Sequence, residues 1–91
     1  MSEFSRDFKI LNDKGLHARA SAKFVEVVEN FNSEVIVEKD GLAASGSSIM
    51  GLLMLAASKG TNIKVTLNGD DAKELSQALD NLIMSKFDEE N

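Results

Sequence analysis

The sequence contains no cysteine, proline, tryptophan or tyrosine, and it has a single histidine. Without cysteine, disulfides, thiolate catalysis and sulfur-bound zinc are excluded, and a reducing compartment, the cytoplasm, is the expected location. A single histidine excludes a multi-histidine metal site, and we expect neither a metal nor another cofactor. The absence of tryptophan and tyrosine removes the obvious platforms on which nucleic-acid bases stack.

Positive charge and long apolar runs are also scarce. Ten Lys and Arg residues face fifteen Asp and Glu residues, a net charge of −5, which argues against binding to nucleic acid. No window approaches the roughly 20 apolar residues that cross a bilayer, and the first six residues lack the pattern of a signal peptide. The length of 91 residues fits one domain over 1–91, expected to be a monomer. The acidic end from Phe87 is expected to fray, with 88–91 as a tail.

Two hydrophobic periods alternate along the chain. A period of two predicts strands over residues 4–10, 33–39, 42–44 and 63–67. Helical stripes predict helices that begin at Ala18, near Ile49 and after Asp71. The resulting β-α-β-β-α-β-α order predicts an α+β fold, an open-faced β-sandwich. In it, a four-stranded antiparallel sheet carries three helices on one face.

Turn and cap signals divide these elements. Asp40-Gly41 predicts a two-residue hairpin. Ser48 is a candidate N-cap, and Lys59-Gly60 is the predicted stop of the second helix. Asp71 with Glu74 fits a capping box for the last helix. Arg6 is the exception to the pattern, because the strand period places this charged residue on the inner face.

Unusual chemistry is concentrated in Gly15-Leu16-His17-Ala18-Arg19. Gly15 permits a turn that presents His17 where the first helix begins, beside backbone N–H groups that bind anions. A neutral imidazole is a competent nucleophile, and Arg19 offers charge-assisted hydrogen bonds to phosphoryl oxygens. From the pattern alone, a lone histidine beside a turn, such as His17, is more often a solvated or capping residue, and Arg19 is more often part of a solvated helix face.

The same segment resembles the HPr family, the histidine-containing phosphocarriers of the phosphoenolpyruvate-dependent phosphotransferase system. A second block from Ser48 to Leu55 falls at the family spacing, and the resemblance covers nearly the whole chain. The resemblance implies that enzyme I phosphorylates His17 on Nδ1, that Arg19 helps to hold the phosphoryl group, and that EIIA components receive it. Such a carrier works stoichiometrically and is not an enzyme. Ala20 departs from the pattern, since the family usually has proline there.

The second block implies two further roles. Ser48 resembles the serine that HPr kinase/phosphorylase modifies, whereas its residue type and position also suit a simple N-cap. Ile49, Met50 and Leu53 resemble an apolar docking patch, and flexible methionines suit a surface that fits several partners. The alternative is that the run is core, and Leu52 and Ala56 are expected there.

Two other functions remain open at this level. The chain also resembles, in its Leu52–Leu55 run and acidic tail, a nitrogen-regulatory branch of the family. From a different class, a domain of the same α+β build can bind a metabolite or a partner protein without any covalent step.

Overall fold

The structure, a computed structural model, describes residues 3–88, apart from the side chain of Phe4. Its elements are β1 (Glu3–Lys9), α1 (Ala18–Glu29), β2 (Glu34–Lys39), β3 (Leu42–Ser45), α2 (Ile49–Met54), β4 (Asn62–Asn68), α3 (Ala72–Met84) and a 3-10 turn (Lys86–Asp88). The predicted β-α-β-β-α-β-α order is confirmed. No helix within residues 3–88 has the length and apolar character needed to cross a bilayer.

The four strands form one antiparallel sheet in the order β1-β4-β2-β3. Buried and exposed residues alternate along β2 and β4, so one face packs against the helices and the other faces solvent. This confirms the predicted open-faced sandwich. Because β1 pairs with β4, the loop that leaves β1 meets the loop that enters β4, and this meeting positions the candidate site.

The helical stripes read from the sequence are the ones that face the sheet. On α1 and α3 the buried members of these stripes are Ser21, Phe24, Val25, Val28, Leu75, Leu79 and Ile83. They join the buried strand residues in one core. The two predicted faces are therefore confirmed, with Ala78 and Leu82 half-buried at the edge of the α3 face.

The hairpin turn between β2 and β3 has the predicted form. Asp40 and Gly41 have φ of 52° and 85°, so both central residues are left-handed, as a type I′ turn requires. Lys39 and Leu42 are paired across it. The Asp-Gly pair matches the turn because glycine and aspartate tolerate this backbone better than most residues.

Arg6 lies under α3, on the inner face of the sheet, as its position in the strand period predicts. Its guanidinium donates to Ser76 Oγ at 3.1 Å, lies 3.5 Å from the carboxylate of Asp80 and stacks 4.9 Å from the ring centroid of Phe8. Because β1 is an edge strand, the charged group reaches α3 and solvent together. A long side chain with a charged end can occupy an inner-face position at such an edge.

The second helix is shorter than predicted. α2 ends at Met54 with Leu55 as its C-cap, not at Lys59-Gly60. Ala56 adopts φ of 52° and donates its N–H to Leu53 O at 3.1 Å. This left-handed residue reverses the chain so that Leu55 and Ala57 are both buried. Ala56 itself is exposed, so its predicted place in the core is wrong, whereas that of Leu52 is confirmed.

The chain beyond α3 is folded as far as Asp88. The side chain of Phe87 is 1% exposed within the core, so the prediction that the chain frays from Phe87 is wrong. Asp88 follows in the same turn and lies 3.5 Å from Lys23 Nζ. The burial of this aromatic ring stabilises the folded turn by more than the neighbouring acidic residues destabilise it. The rest of the predicted tail, residues 89–91, lies outside the described residues.

Asp71 is the N-cap residue of α3, yet its side chain makes no capping hydrogen bond, so the predicted capping box is wrong. The carboxylate instead accepts hydrogen bonds from Asn32 N, at 2.8 Å, and from the hydroxyl of Ser33. It therefore joins the α1–β2 loop to the start of α3. The Ser33 hydroxyl, followed by the Asn32 amide, lowers the pKa of Asp71.

We expect Asp71→Asn to lower the Tm at pH 7. Because folding lowers the pKa of Asp71, its charge stabilises the fold at pH values above about 3.9, the unfolded value. That contribution is lost as the pH falls through the lower folded value. The Tm difference between wild type and variant should therefore shrink below pH 4, as measured by thermal melts from pH 7 to pH 2.5.

Asp70→Asn is the matched control, because it removes an exposed carboxylate from the adjacent position. A Tm difference for Asp71→Asn that stays constant across this pH range would contradict the assignment of the effect to its charge.

Candidate functional site

The turn before α1 is held by its own buried asparagine. Gly15 donates its N–H to Asn12 O at 3.2 Å, and Asn12 Nδ2 donates to Gly15 O at 2.8 Å. Asn12 has no exposed surface, and Gly15 has φ of 65°, which favours glycine. These bonds fix the backbone that leads into His17.

The β1–α1 turn contacts the α2–β4 loop closely. A Cβ on Gly15 would overlap the carbonyl oxygen of Ala57 and lie 2.8 Å from Ser58 Cα, so this position has no space for a side chain. The next residue, Leu16, donates its N–H to Ala57 O at 2.8 Å.

An ion pair on the surface joins the same two loops. Lys59 Nζ lies 2.7 Å from Asp13 Oδ1. The hydrogen bond and positive charge from Lys59 lower the pKa of Asp13. The ion pair is exposed, so it contributes little to stability, and it leaves the charge of Lys59 balanced by a carboxylate.

His17 is the N-cap of α1, with extended backbone angles of φ −78° and ψ −176°. Its carbonyl accepts the helical hydrogen bond from Ser21 N at 2.8 Å, while its half-exposed imidazole makes no capping hydrogen bond. Ala18, Arg19 and Ala20 precede that bond, so helix geometry gives their N–H groups no partner within α1. The first turn contains no acidic residue. An anion beside His17 would therefore meet donors and the positive end of the helix dipole.

A shallow pocket of about 290 Å³ lies on one side of His17. Its lining residues are Lys14, Leu16, His17, Leu53, Ala56, Ala57 and Ser58. Four of these residues are apolar, and the other three, here called the polar rim, are Lys14, His17 and Ser58. Arg19 is exposed in the first turn of α1 and is not among the lining residues. Ala20, the one departure from the motif noted in the sequence, is fully buried.

The residues of the second predicted block start α2, next to this pocket. Ser48 Oγ accepts from Gly51 N at 2.9 Å, which confirms Ser48 as the N-cap. Ile49 and Met50 are 40% and 69% exposed, and Leu53 is half-buried in the pocket wall. Met54 is 74% exposed. An apolar surface thus continues from the His17 pocket along α2.

Sequence reasoning missed four members of the pocket: Lys14, Ala56, Ala57 and Ser58. Lys14 reads as an ordinary turn residue. Ala56 and Ser58 lie about forty residues along the chain from His17 and reach it only because β1 pairs with β4. No local pattern marks either residue. Within residues 3–88, no cluster of three His, Asp or Glu side chains is arranged to hold a metal ion.

The chain resembles known proteins over almost its whole length. The family model described as PTS HPr component phosphorylation site matches residues 4–85. Phosphocarrier protein HPr of Neisseria meningitidis serogroup A is 48% identical over 84 residues, covering 92% of this chain and 94% of that protein.

Solved structures agree with this match. HPr-C-His from Thermoanaerobacter tengcongensis has a TM-score of 0.88 at 43% identity and covers 100% of both chains. Phosphocarrier protein HPr from Bacillus anthracis has a TM-score of 0.85 at 32% identity, covering 91% of this chain and 99% of that one. With the family model and the relatives in agreement, this chain belongs to the HPr family of phosphocarrier proteins of the phosphotransferase system.

Proposed function

We propose that this chain accepts a phosphoryl group from phosphorylated enzyme I on His17 and passes it to EIIA-type acceptors, as a stoichiometric carrier rather than an enzyme. Membership of the HPr family supports a phosphocarrier. The observation that carries the assignment is the half-exposed imidazole of His17 at the start of α1. The cytoplasmic location and monomeric state expected from the sequence belong to this proposal.

In the proposed step, the lone pair of His17 Nδ1 attacks phosphorus. The bond from phosphorus to the donor atom of enzyme I breaks, and its electron pair returns to that atom. The N–H groups of the first turn of α1 donate to the phosphoryl oxygens, and the guanidinium of Arg19 adds charge-assisted stabilisation. Onward transfer to an EIIA acceptor is the same displacement with His17 as the leaving group. Moderate stabilisation of the phosphoryl group on His17 therefore suits a carrier better than tight binding of that group.

We further propose that Ile49, Met50, Leu53 and Met54 form the surface on which enzyme I and EIIA acceptors dock, here called the α2 patch. These side chains lie on the short helix beside His17, and its two methionines are largely exposed. Flexible thioethers repack against differently shaped partners at low cost. A patch beside the reacting histidine also brings a docked partner to it.

Ser48 is proposed as a regulatory site for HPr kinase/phosphorylase. Its hydroxyl caps α2, next to the α2 patch. A phosphate there adds a charge of about −1.5 to −2 at neutral pH, which opposes the approach of a phosphorylated partner. The helix itself tolerates a negative group at its N-cap, so the effect falls on docking rather than on folding.

His17→Ala tests the carrier function. Incubation of the wild type with phosphoenolpyruvate and enzyme I should give one acid-labile, alkali-stable phosphoryl group per chain, and the variant should give none. Arg19→Ala retains the nucleophile and should be labelled about 10 to 100 times more slowly, because a charge-assisted hydrogen bond is lost. Mass spectrometry at alkaline pH measures the adduct. A wild type that binds its partner without forming an adduct would establish the non-covalent alternative.

Met50→Ala tests the α2 patch. Loss of an exposed docking side chain should raise the KM for enzyme I about 5-fold to 30-fold, the range for a contact worth roughly 1–2 kcal/mol. The Tm should stay near that of wild type. Met84→Ala is the matched control, since Met84 is 64% exposed at the end of α3. Equal KM values for the two variants would rule out the α2 patch as the docking surface.

Ser48→Asp and Ser48→Asn separate charge from capping, because both residues are good N-caps. Both variants should melt near the wild-type temperature. The aspartate variant should accept phosphoryl groups from enzyme I about tenfold less efficiently, as repulsion of about 1.4 kcal/mol predicts, whereas the asparagine variant should behave like wild type. Normal transfer kinetics in Ser48→Asp would count against the regulatory role.

A further inference from the structure

The pocket beside His17 carries a second inference, which rests on the proposed function. Its polar rim contains one cation, Lys14, and one hydroxyl, that of Ser58. Arg19 lies outside the lining. A phosphoryl group on His17 that turns into this pocket would therefore meet Lys14 and Ser58.

Lys14 has the charge and the fixed position that such a contact needs. It is exposed and forms no ion pair among residues 3–88, whereas the neighbouring Lys59 is paired with Asp13 at 2.7 Å. Its backbone lies between Asn12 and Gly15, whose two mutual hydrogen bonds hold the turn. Of these two lysines, Lys14 is the one whose charge is available to an anion in the pocket.

Ser58 faces the site from the opposite loop. Its carbonyl accepts hydrogen bonds from both the N–H and the hydroxyl of Thr61, at 3.1 and 2.7 Å, so its backbone is fixed. The close approach of Gly15 sets its distance from the His17 turn. Its exposed hydroxyl is a donor of the kind that phosphate oxygens accept.

We propose that Lys14 and Ser58 contact the phosphoryl group carried by His17 and stabilise the phosphorylated state of this chain. Lys14 supplies a point charge that favours the dianionic form of the group. Ser58 donates a hydrogen bond from the α2–β4 loop. Outside the lining, the nearby charges are the mutually neutralising Asp13 and Lys59, together with Lys86, whose charge acts on Asp13.

Phosphorus NMR of the phosphorylated chain tests this directly. The protein is phosphorylated by enzyme I, or chemically with phosphoramidate, and the phosphoryl resonance is titrated with pH. Lys14→Gln should raise the second pKa of the phosphoryl group by about 0.8 pH unit, as expected for the loss of a charge roughly 4 Å away in water. It should also shift the transfer equilibrium with enzyme I about fivefold to thirtyfold away from this chain, the lower figure for a monoanionic and the higher for a dianionic phosphoryl group.

Three variants serve as comparisons. Lys14→Arg should restore both values, and Ser58→Ala should shift the equilibrium at least about tenfold, the effect of one lost hydrogen bond to a charged group. Lys64→Gln removes an equal charge from the solvent-facing side of β4 and should change neither. These readouts would not respond to a purely structural role of Lys14.

Two outcomes would overturn the inference. An unchanged phosphoryl pKa and equilibrium in Lys14→Gln would exclude the contact. A raised KM for enzyme I with an unchanged phosphoryl pKa would assign Lys14 to partner docking instead. Both leave the carrier function of His17 intact, whereas absence of any adduct on the wild type would defeat the proposed function and this inference with it.

Discussion

The close contact between Gly15 and the α2–β4 loop is the constraint on which the site depends. A side chain at position 15 would occupy the space of the Ala57 carbonyl, and the same carbonyl accepts the N–H of Leu16 at 2.8 Å. The chain can therefore enter α1 in this place only with glycine and a left-handed backbone. His17 follows two residues later, so a backbone contact, and not its own side chain, sets its position at the helix start.

That contact is in turn a consequence of the sheet order. β1 and β4 are distant in sequence, but they pair along their whole length, from Glu3 with Asn68 to Lys9 with Asn62. Ile10 extends the pairing by exchanging backbone hydrogen bonds with Gly60 and Thr61. The loops at this end must then meet, and the core under α1 and α3 keeps the strands in register. Sheet topology thus brings two unrelated loops to one pocket.

The sequence predicts the features that arise locally and misses those that arise from this long-range pairing. Strands, helical faces and the Asp40-Gly41 turn follow from periodicity and backbone preference within a few residues. The capping box predicted at Asp71 is wrong because its carboxylate bonds instead to Ser33, which lies 38 residues away in the chain. The fraying predicted from Phe87 is wrong because nothing in the acidic sequence around it indicates that its ring is buried in the core. At the site, the motif around His17 identifies the candidate nucleophile, while Ser58 and Ala56 have no local signal.

A net charge of −5 is compatible with a phosphoryl site because screening makes electrostatics local. Exposed charges more than about 8 Å apart interact weakly at physiological ionic strength, so most of the carboxylates contribute little at His17. The first turn of α1 has no acidic residue, and the nearby Asp13 is neutralised by Lys59. Lys14 and Arg19 remain as cations without an ion pair among residues 3–88. The charge around His17 is therefore positive although the chain as a whole is acidic, with contributions from Lys14 in the pocket and Arg19 in the first turn of α1.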